Sequence, residues 1–268
     1  MARVPKIGEN PLEMINSPVG TLPERAPVLP APVPATAGPE IRYVSNEDVS
    51  CRMFESDIRE RLSHIKPWVP HVLYVPVLAV SLWAAFRSMA PGRVAAFYAL
   101  GLFLWTIVEY TIHRGIFHTR RLLEDETLRI VGTLRRDQPV VPNLPTPRHR
   151  FYFVAHGVHH NYPNDSTRLV LSPGVSIPLA LLFYVGFRLV FGAVAPAAYA
   201  GLITGYLCYD TIHFAVHHAS GRSPLLRSLK RRHFRHHYAD NTRDFGVSSP
   251  LWDYIIGTLG SAEIARQR

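Results

Sequence analysis

The stretch "GYLCYDTIHFAVHH", residues Gly205–His218, decides how this chain is read. It begins inside an apolar run, Val194–Ile212, close to the ~20 residues a helix needs to cross a bilayer core. It ends on His213, His217 and His218. Residues four apart share a helix face, so His213 and His217 point the same way. His218 is turned about 140° from His213 and is left out of the pair. An apolar helix that runs without a break into paired imidazoles predicts a site seated on the end of a membrane bundle.

The same pattern recurs. Fourteen histidines occur in 268 residues, and ten fall into four groups. "HRGIFH" holds His113 and His118; "HGVHH" holds His156, His159 and His160; "HFAVHH" holds His213 and His217; "HFRHH" holds His233, His236 and His237. Spacing of i, i+3 and i+4 lets an HxxHH segment present three imidazoles from one helical turn. His113 and His118 are about 140° apart on an ideal α-helix, so they sit at a frayed helix end or face two different metals. His64, His71 and His149 stand outside the pattern and are read as ordinary polar residues.

Four apolar runs of membrane length are present: Trp68–Phe86, Val94–Ile112, Ser172–Gly192 and Val194–Ile212. The third and fourth are split only around "GAVAP", so they form a tight hairpin. Two histidine groups follow the second run and two follow the fourth, which puts all four at one membrane face. Of the 29 basic residues, eight lie in 1–67, nine in 113–172 and nine in 213–268, leaving three in the apolar parts. Positive loops of that kind place the histidine-bearing blocks in the cytosol. No dense Lys/Arg run with interleaved aromatics supports nucleic-acid binding.

Residues 1–44 are proline- and alanine-rich, with nine prolines in the first 40 residues, and are expected to be a disordered tail. Residues 45–67 are expected to form an amphipathic helix capped by Ser45 or Asn46, with Val49, Met53, Ile58, Leu62 and Ile65 on one face, lying flat on the membrane surface. Residues 68–259 form the membrane domain and 260–268 a C-terminal tail. Cys51 and Cys208 lack metal-site spacing and are read as free thiols. Only three lysines, Lys6, Lys66 and Lys230, beside high alanine, favour a GC-rich bacterial genome and hence the bacterial cytoplasmic membrane; in a eukaryote the endoplasmic reticulum is expected.

Imidazole suits iron, zinc, copper or nickel. Ten ligands exceed one ion's capacity, so two metals with about five each is the natural count. Structural zinc is normally closed by four ligands and would not need ten histidines. A redox pair that activates molecular oxygen fits better. Asp210, three residues before His213, is placed to hold an imidazole tautomer, and Glu109, four before His113, to do the same. Asp165 and Arg168 are expected to pair with each other, and "WDYIIGT" (Trp252–Thr258) to dock as an apolar cap under the bundle.

The order HxxxxH, HxxHH, HxxxH, HxxHH resembles the fatty acid hydroxylase superfamily of membrane di-iron oxygenases, which includes sterol desaturases. The finer likeness, through "HGVHHNYPNDSTRLVLSP", "GYLCYDTIHFAVHH" and "LKRRHFRHHYADNTRDFGVSSPLWDYIIGT", is to its fatty acid 2-hydroxylase branch. The resemblance covers residues 45–259. It implies an all-α integral membrane protein of four transmembrane helices in two hairpins, with a cytosolic helical cap holding a histidine-rich dimetal site. It also implies two iron ions (zinc as an alternative after purification) on the ten histidines, molecular oxygen as co-substrate, and hydroxylation at C2 of a fatty acid or N-acyl lipid from the bilayer. Residues 1–67 are too short for the cytochrome b5 domain fused in eukaryotic members, so a separate electron donor, cytochrome b5-like or ferredoxin-like, is expected. The His118–His156 interval is longer than in typical 2-hydroxylases. A sterol, carotenoid or aminolipid is the alternative substrate, and a metal-handling membrane protein the alternative of another class.

Overall fold

The computed structural model describes residues 42–118, 121–220 and 223–260, so the tails expected at 1–44 and 260–268 lie almost wholly outside the described residues. The described residues are helical, with no β-strand among them. Three segments are long and apolar enough to cross a bilayer: Val69–Ser88, Pro91–Phe117 and Pro173–His218. Most of their residues face outward, including Val72, Val80, Trp83, Leu182, Leu189 and Val190. So large an apolar surface is unsuited to water and suited to lipid. The chain is an integral membrane protein.

Helix α1 is Asp57–Ser63, α2 Val69–Ser88 and α3 Pro91–Ile112. Prolines occupy the first turns of α2 and α3, where a missing N–H costs no intrahelical bond. A five-residue π-helical turn, His113–Phe117, extends α3. The cap then folds as α4 (Arg121–Thr133), α5 (Val140–Asn143), α6 (Pro147–Tyr152), a second π-helical turn (Phe153–Gly157) and α7 (Val158–Asn161). Helices α8 (Pro173–Phe191) and α9 (Ala195–His218) form the 46-residue third segment. They are joined by one 3₁₀ turn at Gly192, whose φ of 55° is a left-handed conformation that favours glycine. Tyr199 Oη donates to the Ala180 carbonyl at 3.0 Å across this joint. Helices α10 (Pro224–Tyr238) and α11 (Leu251–Ile256) complete the chain.

Helix α9 is the central post, packed against α2, α3 and α8. It meets α3 backbone to backbone: a Cβ on Gly101 would lie 1.8 Å from the Ala198 carbonyl oxygen, and one on Gly201 2.0 Å from that of Tyr98. Ala197, Gly201 and Gly205 repeat every four residues, the small-residue stripe that lets membrane helices approach closely. Trp252 of α11 donates to Thr106 Oγ1 of α3 at 2.9 Å, which seats the "WDYIIGT" segment on the bundle.

The segment before the first span departs from expectation. The helix expected over 45–67 is confined to Asp57–Ser63, and its cap is Ser56 rather than Ser45 or Asn46. Residues 42–56 form a strap across the cap instead. Arg52 N donates to Arg136 O at 3.0 Å, and Val140 N and Val141 N donate to Arg52 O and Met53 O at 2.9 Å. Cys51 and Met53 are buried against Val131, Val140, Leu144 and Phe153. Val49 packs against the same cluster, so the helical spacing of Val49 and Met53 reflects burial there, not a helix face. The Asp165–Arg168 pair forms at 3.9 Å, but the tighter partner of Arg168 is Glu60, at 2.5 Å.

Candidate metal centre

All ten predicted histidines converge, in two sets of five. His113, His118, His156, His160 and His236 form the first pentad; His159, His213, His217, His233 and His237 form the second. Within each set one nitrogen per residue lies within 4.8 Å of every other. Each HxxHH segment is divided: its i and i+4 members enter one pentad and its i+3 member the other. The rings of His160 and His237 stack at 4.2 Å between the sets.

The first π-helical turn resolves the HxxxxH spacing. His118 N bonds to His113 O at 3.1 Å, an i→i+5 bond that brings residues five apart together. Both imidazoles thus reach one pentad, where an α-helix would turn them away from each other. The second π-helical turn carries His156.

The nitrogens are spaced as ligands are. His156 Nε2 lies 3.1 Å from His113 Nε2, 3.1 Å from His118 Nε2 and 2.9 Å from His160 Nε2. In the second pentad, His213–His159, His233–His217 and His237–His233 are 2.9, 2.8 and 3.0 Å apart at Nε2. One Nε2 carries a single proton or a single lone pair, so it cannot hydrogen-bond to three others at once. Two nitrogens about 2.1 Å from one ion and at right angles to it are about 3.0 Å apart. The donor set fits a metal ion in each pentad.

Burial keeps the donors neutral. Loss of hydration, then repulsion among neighbouring imidazoles, holds His118, His156, His159, His160, His233 and His237 far below the usual histidine range. Burial brings His236 down to about 4 against the opposing pull of the Arg243 carbonyl. A neutral imidazole offers the lone pair that a cation needs.

The acceptors behind the rings differ from those expected. Asp210 makes no hydrogen bond to His213 and instead interacts with the Tyr206 side chain, so Asp210 does not hold that ring. Glu109 instead accepts from Val247 N and Ser248 N, both at 2.8 Å, and pins that loop. The loop in turn presents carbonyls: His113 Nδ1 meets Phe245 O at 2.5 Å and His236 Nδ1 meets Arg243 O at 2.7 Å. Among the described residues, the carboxylate that meets a pentad ring is Glu124, 3.2 Å from His118 Nδ1. Nothing in the spacing pointed to it, because six residues separate Glu124 from His118. His64, His71 and His149 bond to Thr167, Thr211 and Thr146, away from both pentads. His218 stacks on Phe214.

A cleft of about 700 Å³ opens beside the first pentad, with Tyr110, Arg114, His118, Glu124, Asn241 and Ile256 among its walls. His118 is the one pentad member that lines it.

A membrane bundle whose helices end in ten buried, convergent imidazoles defines a class: integral membrane proteins with a histidine cluster fit for metal. The chain belongs to the fatty acid hydroxylase family, whose model matches residues 98–258. It is 30% identical over 221 residues to a dihydroceramide fatty acyl 2-hydroxylase of Arabidopsis thaliana, covering 81% of this chain and 83% of that one. It is 33% identical to a ceramide very long chain fatty acid hydroxylase of Saccharomyces cerevisiae, over 74% of this chain and 47% of that one. It is 31% identical to the fatty acid 2-hydroxylase of Homo sapiens, over 78% and 56%. A solved structure of scs7p, with only its hydroxylase domain visible, superposes with a TM-score of 0.67 at 31% identity, covering 79% of this chain and 73% of that one.

Proposed function

We propose that this chain is a membrane-bound di-iron monooxygenase that hydroxylates C2 of a fatty acyl chain, free or in an N-acyl lipid. The convergence of ten neutral imidazoles into two pentads carries the reading, and the names of the similar proteins supply the substrate class. His113, His118, His156, His160 and His236 would hold one iron; His159, His213, His217, His233 and His237 the other. Iron bound there would supply the activation of molecular oxygen, in which two electrons from the donor and two protons let one oxygen atom enter a C–H bond while the other leaves as water. The rest is the protein's own work. Burial of the pentads excludes bulk water, and the Phe245 and Arg243 carbonyls hold the His113 and His236 rings with Nε2 turned inward. The cleft beside His118 combines polar walls at Arg114, Tyr110 and Asn241 with apolar Ile256, as the carbonyl end of an acyl chain requires.

In this reading α2, α3, α8 and α9 cross the bilayer as two hairpins. The cap faces the cytosol, in bacteria beneath the cytoplasmic membrane, and Ile58 and Leu62 of α1 rest on the membrane surface. Residues 68–259 are the catalytic unit and residues 2–40 are dispensable. Electrons arrive from a separate cytochrome b5-like or ferredoxin-like protein. Lipid mass spectrometry with and without expression tests the function. A gain of one oxygen, fragmenting to C2 and lost in His159→Ala and His236→Ala, is expected. An unchanged lipid profile in cells that reduce the iron and supply oxygen refutes it.

A further inference from the structure

One line of polar side chains behind the first pentad has a direction. Arg42 is buried and its guanidinium only donates; Nη1 donates to Asn241 Oδ1 at 3.0 Å. That fixes the amide orientation, so Asn241 Nδ2 faces and donates to Glu124 Oε2. The Glu124 carboxylate is 6% exposed, and both of its oxygens lie 3.2 Å from His118 Nδ1. An ionised carboxylate only accepts, so His118 Nδ1 must carry the proton and its Nε2 the lone pair. Nε2 is the nitrogen that faces His156 and His236, each at 3.1 Å.

We infer that Glu124 is a positioning residue for the metal of the first pentad: oriented by Arg42 and Asn241, it locks His118 into the tautomer that binds metal through Nε2. The inference rests on the metal reading proposed above. It assigns a task to the long His118–His156 interval, which brings α4 and its glutamate against the pentad. It also makes the two sites unequal. In the second pentad no Nδ1 atom makes a hydrogen bond to a carboxylate among the described residues. Removing an acceptor behind a metal-bound imidazole typically weakens affinity about 10–100-fold.

Zinc titration of the purified full-length protein, read by competition with a chromophoric chelator, tests this. Wild type should show two bound ions per chain. Glu124→Gln keeps the volume, but its amide must turn an N–H₂ toward either Asn241 or His118, both of which donate. It should weaken one ion about 10–100-fold and leave the other unchanged. With cobalt in place of zinc, the visible bands of one site should shift and those of the other stay. Asn241→Asp is the second variant, placing a carboxylate against Glu124, and should weaken the same ion. Equal weakening of both ions, or two wild-type affinities in both variants, overturns the role of Glu124 and leaves the metal reading intact. A wild-type chain that binds no metal overturns both.

Discussion

Gly101→Ala tests whether the α3–α9 crossing sets the geometry of the pentads. The added Cβ would sit 1.8 Å from Ala198 O, 2.8 Å from Ala198 C and 2.9 Å from Leu202 N, all backbone atoms with no rotamer to yield. Restoring contact near 3.4 Å requires the two helices to part by about 1.6 Å. Overpacking a core costs about 1–3 kcal/mol, and an immovable neighbour places this change near the top of that range. About 3 kcal/mol corresponds to a fall in Tm of roughly 6–12 °C for a chain of this size. The effect should also travel. His113 lies twelve residues beyond Gly101 and His213 twelve beyond Gly201, about 18 Å along each helix. One histidine of each pentad thus rides on the same crossing, where neighbouring nitrogens are held 2.8–3.1 Å apart. Thermal unfolding in detergent and metal analysis of the purified variant should therefore show a lower Tm and less than two metals per chain. Gly92→Ala on α3 and Gly132→Ala on α4 enter open space and should leave both quantities at wild type. If Gly101→Ala behaves as these two controls do, the crossing does not hold the site in register.

Three further outcomes are expected. His217→Ala should lower metal content because His217 is a fully buried pentad member, whereas His218→Ala should keep both metals because His218 stands outside the pentads against Phe214; elemental analysis of the two purified proteins separates them. Arg168→Ala should destabilise the cap by about 1.5–3 kcal/mol, since Glu60 loses its cation but keeps the Met53 and Phe54 N–H donors and His64; denaturant unfolding read by Cys51 labelling would show it. The Cys51 thiol is pushed up to about 11 by burial, offset in part by Arg168. A raised thiol pKa means less thiolate, so in a Cys208→Ser background, which removes the exposed second thiol, Cys51 of the native protein should resist iodoacetamide at pH 8 and alkylate about tenfold faster per pH unit until pH approaches 11, while unfolded protein reacts at once.

The ten histidines that converge were legible from their spacing, and the membrane-length runs from the length of unbroken apolar sequence, because each is a property of one segment. Spacing of i, i+3 and i+4 identifies a shared turn without reference to the rest of the fold. His113 and His118 marked the limit: only an i→i+5 turn aligns them, and α-helical geometry gave two alternatives. What holds the rings was not legible. Asp210 and Glu109 were close in sequence to histidines, yet Asp210 bonds to none and Glu109 secures the 247–248 loop. The actual acceptors, Glu124 and the carbonyls of Arg243 and Phe245, reach the rings through tertiary folding. The strap misled for the same reason. Val49 and Met53 have helical spacing, but backbone bonds to Arg136, Val140 and Val141 hold their neighbourhood extended.

The strap also imposes an order on biogenesis. Arg42, Val44 and Asn46 leave the ribosome before any span, but their partners come far later: Asn161 and Asn164, then Tyr238, and Asn241 at a separation of 199 residues. The first two membrane segments precede Asn161 and Asn164, and the third precedes Tyr238 and Asn241. A nascent chain that has reached residue 240 already contains every pentad histidine, yet lacks Asn241, the last of the strap's partners, and the Arg243 and Phe245 carbonyls. Arg42, the first of the strap residues, is therefore the last to close, and until it does Asn241 has no partner to aim its amide at Glu124.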